Sequence, residues 1–327
     1  MNKVAGIVIL FMLSALAANS PQRPLHTFSI VARDSVTGEI GVAVQSHWFS
    51  VGSDVCWAEA GVGAVATQSF IDPAYGPLGL ALMRNGKSAP EALQALLSVD
   101  PHADVRQVAM VDARGNVAVH TGKNCLFAAG HVQGSGYACQ ANMMEKTTVW
   151  NAMAEAYETA SGDLLDRLMA ALEAAQREGG DIRGQQSAAI LIVPGSRSSE
   201  PWKKVADLRV DDSPNAVAEM KRLVVVHRAY QHMNCGDELM TKGDLAGALA
   251  EYAAAEKLYP QNIEIPYWTA VGLVNAGRLA EALPILARIF RQEPRWKELT
   301  RRLKGTGLLI ADEAGWEKIL NADKGMK

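Results

Sequence analysis

The sequence predicts an α+β sandwich of two facing sheets with helix pairs outside them, followed by an all-α domain of helical repeats. In residues 27–213, strands and helices come in blocks instead of alternating one at a time, which disfavours a singly wound parallel sheet. In residues 214–327, apolar and small residues follow helical spacing and recur after 34 positions. These two patterns divide the chain into two domains, each long enough to bury a core.

The first block is a hairpin. Residues 27–34 and 39–46 are mostly apolar or β-branched, and they flank the turn sequence Ser-Val-Thr-Gly. The register around this turn places Thr27 opposite Ser46, so the two side chains share one face of the sheet. His47 then points to the other face, and a slip of one residue would exchange the roles of Ser46 and His47.

The remaining blocks of the first domain are groups of strands and pairs of helices. Apolar runs predict strands at residues 61–71, 105–112, 116–121, 127–138, 187–193 and 205–210. Apolar spacing of three and four predicts helices at residues 76–85, 90–99, 149–159 and 164–178. Ser88 and Glu91 form a capping box at the start of the second helix. Continuous apolar strands suit burial on both faces, which favours two sheets packed together.

The helical domain begins after a polar break at residues 211–214. A flanking helix is predicted at residues 217–233, then two repeats at about 234–260 and 262–294, and a closing helix at residues 296–303. Five positions recur with a displacement of 34, which is the tetratricopeptide period: Gly243, Ala248, Tyr252, Ala255 and Pro260 correspond to Gly277, Ala282, Leu286, Ile289 and Pro294. Such repeats present a groove to a protein partner, and apolar faces left by two units would also suit a homo-oligomer.

The N-terminus has the anatomy of a signal peptide. One positive charge in residues 1–3 precedes an apolar run, residues 4–16, that is too short to cross a bilayer as a helix. Small residues follow, and cleavage after Ala17 or Ala18 would remove residues 1–18. The mature protein is expected to be exported, periplasmic or secreted, without a transmembrane span. An uncleaved membrane anchor is the alternative.

Charge and histidine spacing argue against two classes of partner. A net charge of −3 and a pI near 6.2 provide no basic field for nucleic acid. His47, His120 and His131 all lie in the first domain, but their spacing matches no metal motif. No metal and no cofactor are therefore expected.

The chain has four cysteines, which could pair in an oxidising compartment after export. Cys125 and Cys139 flank a glycine-rich segment, residues 128–136, that could turn back on itself. A disulfide between Cys125 and Cys139 is the preferred pairing. Buried free thiols are the alternative.

Several motifs of the first domain resemble one known family. The matching runs are TFSIVARD at residues 27–34, GVAV at 41–44, WAEAGVGAVATQ at 57–68, PAYGP at 73–77, NMM at 142–144 and QSAA at 186–189. Over residues 27–212 the chain thus resembles the DUF1028 family. The resemblance implies an Ntn-hydrolase-like αββα sandwich, but no established substrate or reaction.

The Ntn-like resemblance makes Thr27 the candidate nucleophile. Ntn enzymes attack with an N-terminal Thr, Ser or Cys, whose own α-amine, with a pKa of about 8, accepts the side-chain proton. Thr27 opens the first strand, but His26 precedes it, so a second cleavage after export is required to free the amine. Ser46 is expected to hydrogen-bond Thr27 or its amine. Asn142 is a candidate donor to an oxyanion.

His47, Thr67 and Gln68 complete the candidate site as substrate-binding residues. Satisfied hydrogen bonds at strand or loop ends are the alternative for Thr67, Gln68 and Asn142. The leading functional hypothesis is an exported Ntn-type hydrolase that acts on an amide bond of a peptide-like ligand. The other is a noncatalytic envelope binding or adaptor protein, in which the Ntn-like fold binds a ligand and the helical repeats bind a protein.

Overall fold

The computed structural model of the chain describes residues 27–197, 200 and 202–324. The predicted signal peptide, residues 1–18, and His26 lie outside the described residues. Within the described ranges, no helix combines the length and the hydropathy that crossing a bilayer requires.

Two antiparallel sheets form the first domain. The strands are β1 Thr27–Arg33, β2 Ile40–Ser46, β3 Cys56–Glu59, β4 Gly63–Ser69, β5 Arg106–Asp112, β6 Val117–Thr121, β7 Gly130–Gly134, β8 Tyr137–Ala141, β9 Ser187–Val193 and β10 Ala206–Val210. The six-stranded sheet has the order β10-β9-β2-β1-β8-β7, and the four-stranded sheet has the order β3-β4-β5-β6.

The helices are α1 Gly52–Val55, α2 Tyr75–Arg84, α3 Ala89–Val99, α4 Val149–Thr159, α5 Leu164–Arg177, α6 Ala216–Thr241, α7 Leu245–Leu258, α8 Glu264–Asn275, α9 Leu279–Gln292, α10 Arg295–Arg302 and α11 Glu313–Leu320. Helices α1–α5 belong to the first domain, and helices α7–α11 belong to the helical domain. The long helix α6 lies between them in the chain and packs on both. Helix α3 begins with the predicted capping box, in which Ser88 and Glu91 each bind the other's backbone N–H.

Helices cover the outer face of each sheet, so the first domain has four layers in the order αββα. Helices α4, α5 and the first half of α6 pack on the six-stranded sheet, around a core that includes Phe28, Ile30 and Leu168. Helices α2 and α3 pack on the four-stranded sheet, around Val65 and Met110. The predicted α+β sandwich is confirmed.

The predicted first hairpin is also confirmed. β1 pairs antiparallel with β2, and Thr27 lies opposite Ser46. The turn is closed by the carboxylate of Asp34, whose Oδ1 accepts hydrogen bonds from the backbone N–H groups of Val36 and Thr37, both at 2.8 Å. The short turn fixes the register, and the register fixes which residues face inward.

The interior between the sheets is apolar at one end and polar at the other. The part that we call the apolar half contains Val31, Val42, Val44, Ala64 and Ala66. The part that we call the polar end lies where β1 begins and β2 ends. It consists of seven fully buried polar side chains: Thr27, Ser29, Ser46, Gln68, Gln107, Gln140 and Asn142.

Two strands differ from the expectation. Residues 127–138, predicted as one strand, lie in a loop and the hairpin β7–β8, which turns at Gly136 with a left-handed φ of 76°. The sequence does not predict β3, because this four-residue edge strand buries only Cys56 and lacks an apolar run.

Helix α6 begins just after the predicted domain boundary at residues 213/214 and runs without a break for 26 residues, through the cores of both domains. Its first half contributes Met220 and Val224 to the core of the sandwich. Its second half contributes Ala229 and Met233 to a separate cluster with α7 and α8. The predicted flanking helix and the first helix of the first repeat are therefore one continuous element.

Helices α7, α8 and α9 lie where the 34-residue pattern predicts them. Gly243 and Gly277, which correspond in the repeat, both adopt a left-handed φ, of 80° and 77°, between successive helices. Ala248 and Ala282, which also correspond, are fully buried at helix contacts. Helices α10 and α11 close the array, and Trp316 of α11 packs into the core of α8 and α9.

The predicted disulfide between Cys125 and Cys139 is absent, and both residues are free thiols. Cys139 lies on the face of β8 that packs against the helices, in the core with Phe28 and Ile30. Cys125 lies beyond β6 of the other sheet, where its Sγ contacts the carbonyl oxygen of Arg106 at 3.5 Å. The glycine-rich segment forms part of a hairpin and does not bring the two thiols together.

Candidate functional site

Thr27 is the first residue of β1, and its side chain is fully buried. Its Oγ1 donates a hydrogen bond to Oγ of Ser46 at 3.2 Å. Its carbonyl oxygen accepts from Nε2 of Gln68 at 3.0 Å and from the backbone N–H of Asn142 at 3.1 Å. Elements of both sheets thus fix Thr27, and the expected contact with Ser46 is present.

Gln107 is the centre of the hydrogen bonds in the polar end. Its Oε1 accepts from Nε2 of Gln68 at 2.7 Å and from Nδ2 of Asn142 at 2.9 Å. Its Nε2 donates to the carbonyl oxygen of Ala141 and to Oγ1 of Thr121, both at 2.9 Å. Since an amide has both an acceptor and donors, Gln107 orients two other amides at once. The sequence does not predict Gln107 as a site residue.

Ser29 and Gln140 extend the polar end toward the apolar half. Oγ of Ser29 donates to Oε1 of Gln68 at 2.6 Å, and Nε2 of Gln140 donates to the carbonyl oxygen of Ala66 at 3.1 Å. Oε1 of Gln140 has no partner among the described residues. Because a buried polar group without a partner costs about 1–3 kcal/mol, each of these bonds lowers the cost of placing an amide in the interior.

Backbone strain occurs directly after Gln68 and Asn142, the two residues that donate hydrogen bonds to the carbonyl oxygen of Thr27. Ser69, directly after Gln68, has a φ of 68°, and Met143, directly after Asn142, has a φ of 56°. Residues other than glycine rarely adopt this left-handed conformation, which costs about 1–3 kcal/mol. Such residues are concentrated at functional sites, so their position supports a functional role for the polar end.

Two residues predicted to bind substrate, Thr67 and His47, form their hydrogen bonds with residues outside the polar end. Thr67 faces the opposite side of β4 from Gln68, and its Oγ1 donates to the carbonyl oxygen of Asp72 at 3.2 Å. His47 follows β2, and its backbone N–H donates to Oδ2 of Asp181 at 3.1 Å. Nδ1 of His47 is buried without a hydrogen-bond partner among the described residues. The structure therefore groups Gln68, but not Thr67 or the His47 side chain, with Thr27.

A branch of the polar end leads to the surface at His131. Nδ1 of His131 lies 2.8 Å from Oγ1 of Thr121, which in turn accepts a hydrogen bond from Gln107. Burial and the charge of nearby His120 lower the pKa of His131. His131 is thus a titratable group joined to the amides around Thr27 through two hydrogen bonds.

No metal centre is built from the residues that the structure describes, since no three His, Cys, Asp or Glu side chains among them are grouped for one. Oγ1 of Thr27 bonds to a hydroxyl, not to a carboxylate or an imidazole. The arrangement can hold a hydroxyl nucleophile in place, but the base must come from elsewhere.

Comparisons with known proteins match both parts of the chain. Residues 27–220 match a family of unknown function, DUF1028, and residues 239–303 match a tetratricopeptide repeat. No curated protein matches the chain.

Among solved structures, a DUF1028 protein from Silicibacter pomeroyi is similar at 30% identity, with a TM-score of 0.55, over 61% of this chain and 88% of that chain. Anbu, an ancestral β-subunit from Yersinia bercovieri, has 12% identity and a TM-score of 0.30, over 60% of this chain and 92% of that chain. The family match spans the sandwich that contains Thr27.

Proposed function

The chain belongs to the DUF1028 family, and we propose that it is an exported Ntn-type hydrolase that cleaves an amide bond with Thr27 as nucleophile. The position of Thr27 carries the proposal. It opens a buried strand, its hydroxyl bonds to Ser46, and its carbonyl oxygen is bound by Gln68 and Asn142. The bonds to the carbonyl oxygen hold the backbone of Thr27, and the bond to Ser46 fixes the direction of its hydroxyl. A fixed direction favours attack on a bound carbonyl carbon.

The proposed base is the α-amine of Thr27. Ser46, the partner of the Thr27 hydroxyl, is itself a hydroxyl and does not act as a base near neutral pH. An α-amine has a pKa of about 8 and can take the Oγ1 proton directly or through Ser46. The amine is free only after the peptide bond between residues 26 and 27 has been cleaved.

Cleavage of that bond is proposed to use the same hydroxyl. Oγ1 of Thr27 attacks the carbonyl carbon of residue 26, the C–N bond breaks, and the Thr27 nitrogen takes up the proton. The resulting ester is hydrolysed by water, which releases the preceding segment as a carboxylate. Thr27 is left with a free amine and a free hydroxyl.

Turnover repeats this chemistry on a substrate. The α-amine of Thr27 takes the Oγ1 proton as Oγ1 attacks the carbonyl carbon of the substrate amide. The α-amine then gives this proton to the leaving amine of the substrate as the C–N bond breaks. Water then adds to the acyl ester on Thr27, which regenerates the hydroxyl and releases a carboxylate. Asn142, held by Gln107, is the proposed donor to the oxyanion.

The mature N-terminus tests the proposal directly. Intact mass and N-terminal sequencing of protein purified from exporting cells should show that the wild type begins at Thr27. Thr27→Ser should be processed in part because it retains a hydroxyl, and Thr27→Val should keep the residues that precede position 27. Thr241→Val, which changes an exposed threonine of α6, is the matched control and should be processed like the wild type.

Turnover provides the second readout. With acyl p-nitroanilides, Thr27→Val should lose at least about 100-fold in kcat/KM at an unchanged melting temperature, and Thr27→Ser should retain part of the activity. A wild type that begins at residue 18 or 19, or a Thr27→Val variant that is processed normally, would rule the proposal out.

The helical repeats favour a second candidate function, that of a noncatalytic envelope binding or adaptor protein. Residues 239–303 match a tetratricopeptide repeat, and such repeats bind peptides or helices of other proteins. In this case neither the wild type nor Thr27→Val would hydrolyse an amide, and both would bind the same partner with equal affinity. Equal binding together with no turnover would favour this function over the hydrolase.

A further inference from the structure

Large apolar side chains are exposed on three loops at the end of the sandwich where Thr27 lies. Phe49, after β2, is 64% exposed, Phe127, before β7, is 87% exposed, and Ile182, before β9, is 63% exposed. Leu126, beside Phe127, is 38% exposed. We call these four residues the apolar rim. A group of exposed large apolar residues marks a contact surface, because isolated examples are common but clusters are not.

Hydrogen bonds join the loops of the apolar rim. The N–H of Met144 donates to the carbonyl oxygen of Ala128 at 3.3 Å, which links the loop of Phe127 to the segment after β8. The N–H of Ile182 donates to the carbonyl oxygen of Met143, also at 3.3 Å. The same segment therefore contacts two of the three loops.

Asp181 supplies the link to the third loop. Its Oδ2 accepts from the backbone N–H of His47, next to the loop of Phe49, and its charge is paired with Arg183 at 2.7 Å. Asn142, at the start of the shared segment, donates its N–H to the carbonyl oxygen of Thr27. The apolar rim is thus continuous with the backbone that holds Thr27, and the acid that joins its loops is neutralised locally.

We infer that the apolar rim binds the acyl side of the substrate and that this acyl group is apolar. The inference rests on the proposed function, because the carbonyl carbon that Oγ1 of Thr27 attacks carries the acyl group. Loops directly beside the nucleophile contact the part of the substrate attached to that carbon. Apolar side chains stabilise an alkanoyl or arylacyl group there by removing its surface from water.

The length of the acyl chain is the variable to test. With p-nitroanilides of two, six and ten carbons, kcat/KM should rise on the order of ten-fold from two to six carbons, since each partly buried methylene adds affinity. Phe127→Ser and Ile182→Ser should remove most of this rise. Val36→Ser is the control, because Val36 is 91% exposed on the turn at the opposite end of β1.

Binding separates this inference from the proposed function. Alkyl phenyl ketones of the same chain lengths contain the carbonyl but no scissile amide, and calorimetry measures their affinity for the wild-type chain. Affinity that rises with chain length and is lost in Phe127→Ser, without hydrolysis of any anilide, would support the apolar rim and reject the hydrolase.

Other results would overturn the inference. Hydrolysis that does not depend on chain length would retain the hydrolase and reject an apolar acyl group. Neither binding nor hydrolysis would reject both. Self-association that Phe127→Ser abolishes, without any effect of the ketones, would make the apolar rim an interface between copies of this chain.

Discussion

The apolar half and the polar end of the sandwich interior are built from the same strands, yet they contribute differently to the molecule. Strands β1, β2, β4 and β5 each supply small apolar residues to the apolar half and a hydroxyl or an amide to the polar end. Burial of the apolar half stabilises the fold without directional requirements. Each amide of the polar end must instead find partners, because an unpaired buried amide destabilises the fold.

This difference indicates what the polar end is for. Valine or alanine at positions 68 and 107 would need no hydrogen-bond partners. Such residues face the interior a few positions further along the same strands, β4 and β5. A buried network of hydrogen bonds instead holds each of its groups in one orientation. That orientation is given to Thr27, the residue that the proposed chemistry requires to be fixed.

The largest expected effect is that of Gln107→Leu, which disrupts the polar end. The substitution removes the acceptor shared by Gln68 and Asn142 and leaves both donors buried. The free energy of unfolding should fall by about 4 kcal/mol, because Gln68 and Asn142 each lose a buried hydrogen bond and the bonds of the Gln107 amide nitrogen are lost as well. Urea unfolding followed by circular dichroism measures the loss.

The control is Gln94→Leu, the same substitution on the exposed side of α3, which should stay within about 0.5 kcal/mol of the wild type. Processing at Thr27 should also slow in Gln107→Leu, even in the folded fraction. A Gln107→Leu protein as stable as the wild type would mean that the polar end does not depend on its central amide.

In the apolar half, Val31→Ala should have an intermediate effect on stability and none on processing. Val31 is fully buried between the sheets, so loss of two methyl groups should cost about 2 kcal/mol in transfer and cavity terms. Val36→Ala, at a position 91% exposed, is the control and should be neutral. If Val31→Ala slowed the cleavage before Thr27 at matched stability, the two halves would not be functionally distinct.

The sequence predicted the parts of the site that depend on one hairpin. The register of β1 and β2 follows from a short turn and from side-chain alternation, so Thr27 and Ser46 could be paired from local pattern alone. The same alternation along β4 separates Thr67 from Gln68. The sequence motif places both residues in the site, and only the faces of the strand distinguish them.

Gln107 could not be predicted, because its role depends on a distant pairing. It lies in a strand whose local pattern is ordinary, and it becomes central only when β5 pairs with β4 and brings Gln107 opposite Gln68. The polar break at residues 211–214 also does not separate the two cores, because packing and not local composition decides where each core ends. A polar turn ends the sandwich's last strand, but α6 then packs on the sandwich before it reaches the repeats.

The smallest expected effect concerns His131, where the polar end meets solvent. Burial and the charge of His120 lower the pKa of His131 in the folded protein below its unfolded value of about 6.5. Between the two pKa values the unfolded chain binds more protons than the folded chain. The stability contributed by neutral His131 is therefore present above about pH 6.5 and is lost as the pH falls toward the folded pKa.

Protonation also changes the hydrogen bond at Nδ1. Neutral Nδ1 can accept from Oγ1 of Thr121, whereas the protonated ring must donate to an oxygen that already accepts from Gln107. Because His131 is partly exposed, the loss between about pH 7.5 and about pH 5.5 should stay under about 1 kcal/mol. His131→Gln should remove this part of the pH dependence of urea unfolding, and His102→Gln, at an exposed loop position, should not. Identical pH profiles for wild type and His131→Gln would show that the branch from Gln107 through Thr121 does not transmit protonation at the surface to the polar end.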